Sequence, residues 1–312
     1  MTNDRPIVLV TGATGFVGRF LLPVLEGDGW TVRAAVRRPS GLNEVVIDSI
    51  GPDTDWQAAL AGVEAVVHLA ARVHHPNDRE AEKLYRDLNV EGTLQLARSA
   101  IVAGVKQFVF ASTALVYGRI NDGRPPFNEE DELTPHNPYS RSKVEAEAGL
   151  KLLAQGHAMG ITVVRPPLVY GAGAKGNFAL LARAAKIGVP LPFAAIRNRR
   201  AFVSVQNLAS FIAWRLSASG ARFDVFLVAD AEQVSTPEFF TRLAKAAGRK
   251  ARLLPVPEPL LGSLLTLSGR ADARQSLIAS LELDISKALS TGWRPPLTLD
   301  EGLRLALSAP QA

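Results

Sequence analysis

The sequence predicts an α/β protein: a doubly wound parallel sheet covered by helices on both faces, with a smaller α/β lobe at the C-terminal end. Three observations carry this. Through the first half, short apolar runs alternate with segments of helical spacing. Those runs are apolar at nearly every position, as strands buried on both faces tend to be. Beyond Pro166-Pro167 the chain is slightly richer in Pro and Arg and its periodicity is less regular, which marks a second lobe.

The elements follow in order. Ile7 to Val10 is a short apolar strand, and Gly18 to Glu26 has helical spacing. Val32 to Val36 is strand-like, Val45 to Ile47 follows as another short run, and Trp56 to Ala61 is a short helix. Ala65 to Leu69 is again apolar apart from His68. Leu84 to Gly104 reads as one long helix stopped by its glycine. Phe108 to Phe110 is a strand, Asn137 to Gln155 a second long helix, and Ile161 to Val164 another strand. In the second half, Val203 to Leu216 looks helical and Phe223 to Val228 is a strand. Thr236 to Ala247 is a helix opened by Ser-Thr-Pro-Glu. Pro259 to Leu267 is too short to span a bilayer and reads as a buried helix.

Composition narrows the function. The 312 residues contain no cysteine, which removes disulfides, thiolate nucleophiles and cysteine metal sites. The N-terminus lacks a signal-peptide core, so a cytoplasmic protein is expected. The net charge is +5, but the arginines cluster only at Arg37-Arg38 and Arg197 to Arg200. An enzyme with anionic ligands fits this better than a nucleic-acid binder, and no membrane partner is expected. His74 and His75 lack a third ligand at metal spacing, so no metal is expected. His68 reads as a packed strand end, and Glu129 to Glu132 as a solvated loop.

The turn VTGATGFVG, Val10 to Gly18, lies between a strand and a helix. That context suits a dinucleotide pyrophosphate at a helix N-terminus. Gly12 permits the tight turn, Gly15 the approach of phosphate, and Gly18 close helix packing. The second strand, TVRAAVRR, ends without the acid that usually meets the adenosine 2′-hydroxyl. Arg37 and Arg38 stand there instead, which favours NADP(H), with NAD(H) still possible. Downstream, PYSRSK sets Tyr139 and Lys143 four apart on one helix face. There an ammonium can lower the tyrosine pKa for proton transfer. In FVFASTALVYG, a strand end delivers the hydroxyls of Ser112 and Thr113 to the carboxyl edge of the sheet.

Together these motifs resemble an extended short-chain dehydrogenase/reductase of the NAD-dependent epimerase/dehydratase family. The matching pieces are TGATGFVG, HLAA, LNVEGT, STALVYG, PYSRSK and RPPLVYG, then GNF, RRAFVSVQNLA and GW in the second half. The resemblance implies a Rossmann-type dinucleotide domain over residues 1–168, with about 203–230 as a candidate to return to it. Residues 169–312 would form the nucleotide-sugar lobe. It implies Tyr139 as the general acid/base, Lys143 on the nicotinamide ribose and Thr113 orienting the substrate. Gly12, Thr14, Gly15, Phe16, Val17, Leu69, Ala70, Ala71, Asn89, Ser112 and Pro166 would line the cofactor, with Asp48 near the adenine. Asn177, Arg200 and Arg274 would hold the substrate's nucleotide diphosphate, and Phe178 would also meet the substrate. The two long helices are the pair through which the family dimerises.

GPDTDW, HLAARVH, GAKGNF and NRRAFVSV look like bacterial reductases of UDP-linked 4-keto-6-deoxy-N-acetylhexosamines, used in O-antigen and capsule synthesis. With the arginine-ended second strand, they point to NADPH-dependent net reduction of a 4-keto nucleotide sugar. STALVYG is closer to the general epimerase pattern, which keeps a UDP-hexose 4-epimerase with bound NAD as the alternative. Reduction of a non-nucleotide ketone and a non-catalytic redox sensor are the remaining readings.

Overall fold

Seven strands form the main sheet of the computed structural model. They are β1 (Ile7–Thr11), β2 (Thr31–Val36), β3 (Glu44–Val46), β4 (Val63–His68), β5 (Gln107–Ala111), β6 (Gly160–Arg165) and β9 (Phe223–Leu227). Their order across the sheet is β3-β2-β1-β4-β5-β6-β9. Every pairing from β3 through to β6 is parallel. The structure describes residues 5–39, 41, 43–73, 81–218, 222–267 and 277–308. The strand order reverses between β1 and β4, and such a switch point opens a crevice at the carboxyl ends of the strands.

The chain divides into two compact units. The first comprises Met1–Gly118, Glu132–Pro166 and Ala209–Phe226. Its helices include α1 (Phe16–Gly27), α2 (Gln57–Leu60), α4 (Gly92–Val102) and α5 (Pro138–Gly156). Leu9, Val66, Phe108 and Ile161 from the sheet pack with Trp56, Leu60, Leu96 and Leu150 in one buried cluster. Small residues let the helices come close. A Cβ on Gly149 of α5 would fall 2.6 Å from a methyl of Leu94 on α4. Asn137 caps α5 with a reciprocal Ser140 capping box and Pro138 in the first turn, which fixes where the helix starts.

The helix expected over Leu84 to Gly104 is broken into three. A short α3 (Ala81–Tyr85) runs into a π-helical turn, Arg86–Glu91, before α4 begins. Gly92 follows, with no room for a side chain: a Cβ there would lie 2.7 Å from Ile50 and 3.1 Å from the Gly51 amide. Periodicity cannot register such a widened turn, because both flanks keep a helical pattern. The run from Val203 to Leu216 also divides. Phe202–Ser204 is a strand, β8, and the helix α7 (Val205–Ser217) follows it directly.

The second unit comprises Arg119–Asp131, Pro167–Leu208 and Leu227–Ala312. Here β7 (Leu168–Tyr170) pairs in parallel with β8. Around them pack α6 (Asn177–Ile187), α8 (Thr236–Ala246) and the helix Leu299–Leu307. Phe202 stacks on Phe239 at 4.0 Å between centroids, with Tyr170 and Phe178 against the same ring. Tyr170 donates to Asp230 at 2.7 Å, and Asp230 also accepts from the Ser204 amide and from Asn207. Gly302 sits against this network. A Cβ there would overlap the Tyr170 hydroxyl and lie 3.1 Å from Ser204 Cβ. Gly302→Ala gains helix propensity but forces Tyr170 off its partner, so it should cost about 1–3 kcal/mol net. Thermal melts should show a lowered Tm; an unchanged or raised Tm would mean the hydroxyl shifts freely.

Candidate functional site

The turn after β1 is built for lack of room. Gly12 has φ +70, and a Cβ there would lie 2.8 Å from the Ala70 amide and 3.0 Å from the Leu69 carbonyl carbon. Gly18 would drive a Cβ into the carbonyl oxygens of Gly12 and Ala13. The Gly15 amide donates to Gly12 O at 2.9 Å, which closes the turn. No side chain caps α1 after Gly15. Its first-turn N–H groups are therefore left without a side-chain acceptor, with Thr14 and Gly15 exposed beside them. Phe16 and Val17 are half-buried, and Phe16 packs edge-on against Phe20.

The loop after β4 is held by a chain of hydrogen bonds through His68, which is fully buried. Its Nδ1 lies 2.7 Å from Thr11 Oγ1, and its Nε2 lies 2.9 Å from Thr93 Oγ1. Thr93 spends its own proton on Asn89 O, so it accepts from His68 Nε2–H. Thr11 accepts the Ala70 amide at 3.3 Å and donates to Nδ1. One tautomer, neutral, satisfies every member. Burial and then the charge of Lys143 push His68 down to about 3, which keeps it neutral.

Asn89 extends the chain from the π-helical turn. Its carboxamide accepts from the Arg72 amide at 2.8 Å and donates to Arg72 O and Ser142 Oγ. The Asn89 carboxamide thus has a bracing role, whatever else the residue meets. Asn89 ties the loop Leu69–Ala71 and its neighbour Arg72 to α5.

At the end of β5, Thr113 Oγ1 accepts from the Leu115 amide and caps the short helix Ala114–Tyr117. Ser112 is turned the other way. Its hydroxyl donates to Glu147, whose two oxygens also meet Arg165 Nε at 3.1 and 3.2 Å. Arg165 also donates to Tyr117 Oη. The Ser112 hydroxyl thus serves a buried ion pair. Pro166 O accepts the Ala114 amide at 2.8 Å.

Tyr139 and Lys143 lie in the first turns of α5, as the sequence predicts. Lys143 Nζ donates to Ala111 O at 2.8 Å and lies 4.3 Å from the centre of the Phe110 ring. Burial pushes it down to about 7, opposed by Glu147. Tyr139 faces Tyr85 at 6.4 Å between ring centroids. Burial, then Tyr85, holds its phenol above the ordinary range. The expected lowering of the tyrosine pKa by Lys143 is thus reversed, because desolvation dominates.

Arg37 and Arg38 follow β2, the neighbour of β1, and are exposed without an ion-pair partner among the described residues. Asp48, two residues past β3, is exposed on a cavity of about 380 Å³ whose lining also includes Asp53 and Asp55. In the second unit, Asn177 is exposed at the start of α6. Phe178 was expected on the substrate, but its side chain is 3% exposed in the aromatic core. Arg200 is buried, donates to Ala279 O at 2.6 Å, and is pushed down by burial to about 10. Arg274, His74 and His75 lie outside the described residues.

The model of the NAD dependent epimerase/dehydratase family matches residues 8–229. The chain is similar to a UDP-glucose 4-epimerase of Vibrio cholerae, 39% identical over 99% of this chain and 97% of that protein. Among solved structures it is similar to a UDP-glucose 4-epimerase of Thermus thermophilus in complex with NAD, at TM-score 0.74 and 25% identity over 96% of this chain and 97% of that one. It is also similar to RMD from Pseudomonas aeruginosa complexed with NADPH, at TM-score 0.73 and 25% identity over 97% and 98%.

The neutral histidine has a measurable signature. Unfolded, an imidazole takes a proton near its ordinary 6.5; folded, His68 resists down to about 3. Between these values the unfolded chain binds the extra proton. Stability therefore falls as pH drops from 6.5 towards 3, by about 1.4 kcal/mol per pH unit, and is unaffected by this group above 6.5. In His68→Asn, urea unfolding between about pH 6 and 4 should lose one proton's worth of that slope. An unchanged slope would mean that His68 is protonated in the fold.

Proposed function

The chain belongs to the NAD-dependent epimerase/dehydratase family and is an enzyme of it, and from that premise we propose that it is a UDP-hexose 4-epimerase working with tightly held NAD. The observation that carries the reading is the likeness to the Vibrio cholerae enzyme over nearly the whole chain. It supports epimerisation better than the net reduction favoured by the second strand.

The turn after β1 fits a dinucleotide. Gly12 and Gly18 are spaces that a Cβ would fill, and the uncapped end of α1 offers N–H groups to a pyrophosphate. When bound, the nicotinamide supplies a reversible hydride acceptor, so the C4 hydrogen of the sugar can be removed and returned on the other face. In its tyrosinate form Tyr139 Oη takes the C4 hydroxyl proton and later gives it back, and it is the return of the C4 hydrogen that leaves no net redox change. Thr113 Oγ1 holds the C4 oxygen. Lys143, with a pKa near 7, exchanges a proton at neutral pH and carries charge beside the ribose. Asn177 and Arg200 bind the nucleotide diphosphate in this reading. Outward faces of α4 and α5, with Val102 89% and Leu152 69% exposed, would carry a homodimer contact.

A second reading rests on Arg37 and Arg38. Their exposed guanidiniums suit a 2′-phosphate, hence NADPH and net reduction of a UDP-4-keto-6-deoxy-N-acetylhexosamine. Against it, Asp48, Asp53 and Asp55 gather negative charge at the neighbouring strand end.

One preparation separates them. Denatured protein should release NAD, and native protein should convert UDP-glucose to UDP-galactose with no added cofactor. Weakly held NADPH, with turnover only of a 4-keto sugar, would establish the reductase. Tyr139→Phe should lower turnover about 10²–10⁴-fold and leave nucleotide binding nearly intact. An active mutant would remove Tyr139 from the chemistry.

A further inference from the structure

Two stretches of the second unit contain no acid. Residues 167–208 hold six Lys or Arg and residues 239–257 hold five, with no Asp or Glu in either. Arg242 and Arg199 are paired with glutamates, Arg200 is buried, and Arg197 donates to the Ala194 and Ile196 carbonyls. The other seven are exposed and make no ion pair among the described residues; Lys175, Arg183, Lys186, Lys245, Lys250 and Arg252 are among them.

Large aliphatic side chains stand exposed between these cations. Leu180 and Ile187 are 66% and 61% exposed, and share one face of α6 with Arg183. Leu254 and Leu260 are 51% and 54% exposed. Their inward neighbours show that they surround one place. Leu181, Leu253 and Leu261 meet in a single cluster around Phe193 and Ile196. The backbone of Leu191 pairs with Arg252 and Leu254, an extended arrangement that turns Leu253 inward and its two neighbours outward.

We propose that this face of the second unit lies on an anionic phospholipid surface. Single exposed aliphatics are ordinary on a soluble protein, but a group of them among unpaired cations is the pattern of in-plane membrane contact. Cations are drawn to the anionic headgroups and the aliphatics enter the boundary below them. Single-stranded nucleic acid would call for aromatic stacking platforms, and the exposed apolar residues here are aliphatic. No helix of the described residues is long and apolar enough to cross a membrane, so the contact is peripheral. The proposal stands independently of the sugar chemistry above.

The test is co-sedimentation of the full chain with vesicles of phosphatidylcholine alone, or with about one third phosphatidylglycerol. Binding should need the anionic lipid and weaken as salt shortens the screening length. Replacing Lys245, Lys250 and Arg252 with Gln should weaken it about fivefold per charge, roughly 100-fold together. Ile187→Ser with Leu254→Ser should remove the binding that survives high salt. Each variant is checked for an unchanged Tm and nucleotide affinity. No binding, equal binding to neutral vesicles, or binding indifferent to both sets of variants would overturn the proposal. So would stronger binding to single-stranded RNA, or sedimentation velocity showing that the same variants dissolve a dimer.

Discussion

A single neutral imidazole sets the geometry at the switch point of the sheet. His68 can donate through one nitrogen and accept through the other, and its two threonine partners are each committed by a further bond. The chain that results is directional from the Ala70 amide to the Asn89 carbonyl. It fixes the loop after β4 against the turn after β1, where Gly12 already leaves no space. The backbone of these two turns is thus held by hydrogen bonds to buried groups. Leaving any one of these buried groups unpaired would cost about 1–3 kcal/mol, and that is what makes the arrangement rigid.

A second buried device lies under β5. Glu147 and Arg165 are both about 5% exposed, and the pair is completed by Ser112 and Tyr117. A buried ion pair adds little net stability over apolar packing, but losing one partner strands the other. The role that suits it is orientation. It holds the residue before Thr113 and supplies the negative charge that partly offsets the burial of Lys143. The tyrosine and lysine of α5 therefore rest on a polar floor contributed by β5 and β6.

Much of the fold was legible because it rests on local signals. Apolar runs gave the strands, and Gly12, Gly15 and Gly18 gave the turn, since close backbone approach leaves glycine as its trace. The Asn-Pro start of α5 gave its first residue through capping chemistry. What stayed hidden depends on partners distant in sequence. His68 looked like core packing because its bonds reach 57 residues back and 25 forward. Ser112 looked available because Glu147 lies 35 residues on. A charged residue at the end of an apolar strand, Arg165, and an acid one turn beyond Lys143 were the signals that could have revealed the pair. The burial of the Phe178 ring was also hidden, since its motif neighbour Asn177 is exposed and neighbours on a helix point about 100° apart. The direction of the tyrosine pKa also eluded the sequence, since spacing shows a charge but not desolvation.

The widened turn Arg86–Glu91 carries a consequence for how this chain can change. A π-helical turn holds one residue more than the α-helical turn it replaces. From it Asn89 reaches inward to Arg72 and Ser142, and Thr93, four residues on and so on the same face, reaches His68. Because the wide turn takes up its extra residue within one revolution, loss of a single residue between Tyr85 and Gly92 would close it into an ordinary turn and leave the flanking segments facing as they do. What such a loss would change is which side chain stands at the position of Asn89. The segment can therefore shorten without swinging the elements on either side, but not without giving up a group that braces the neighbouring loop.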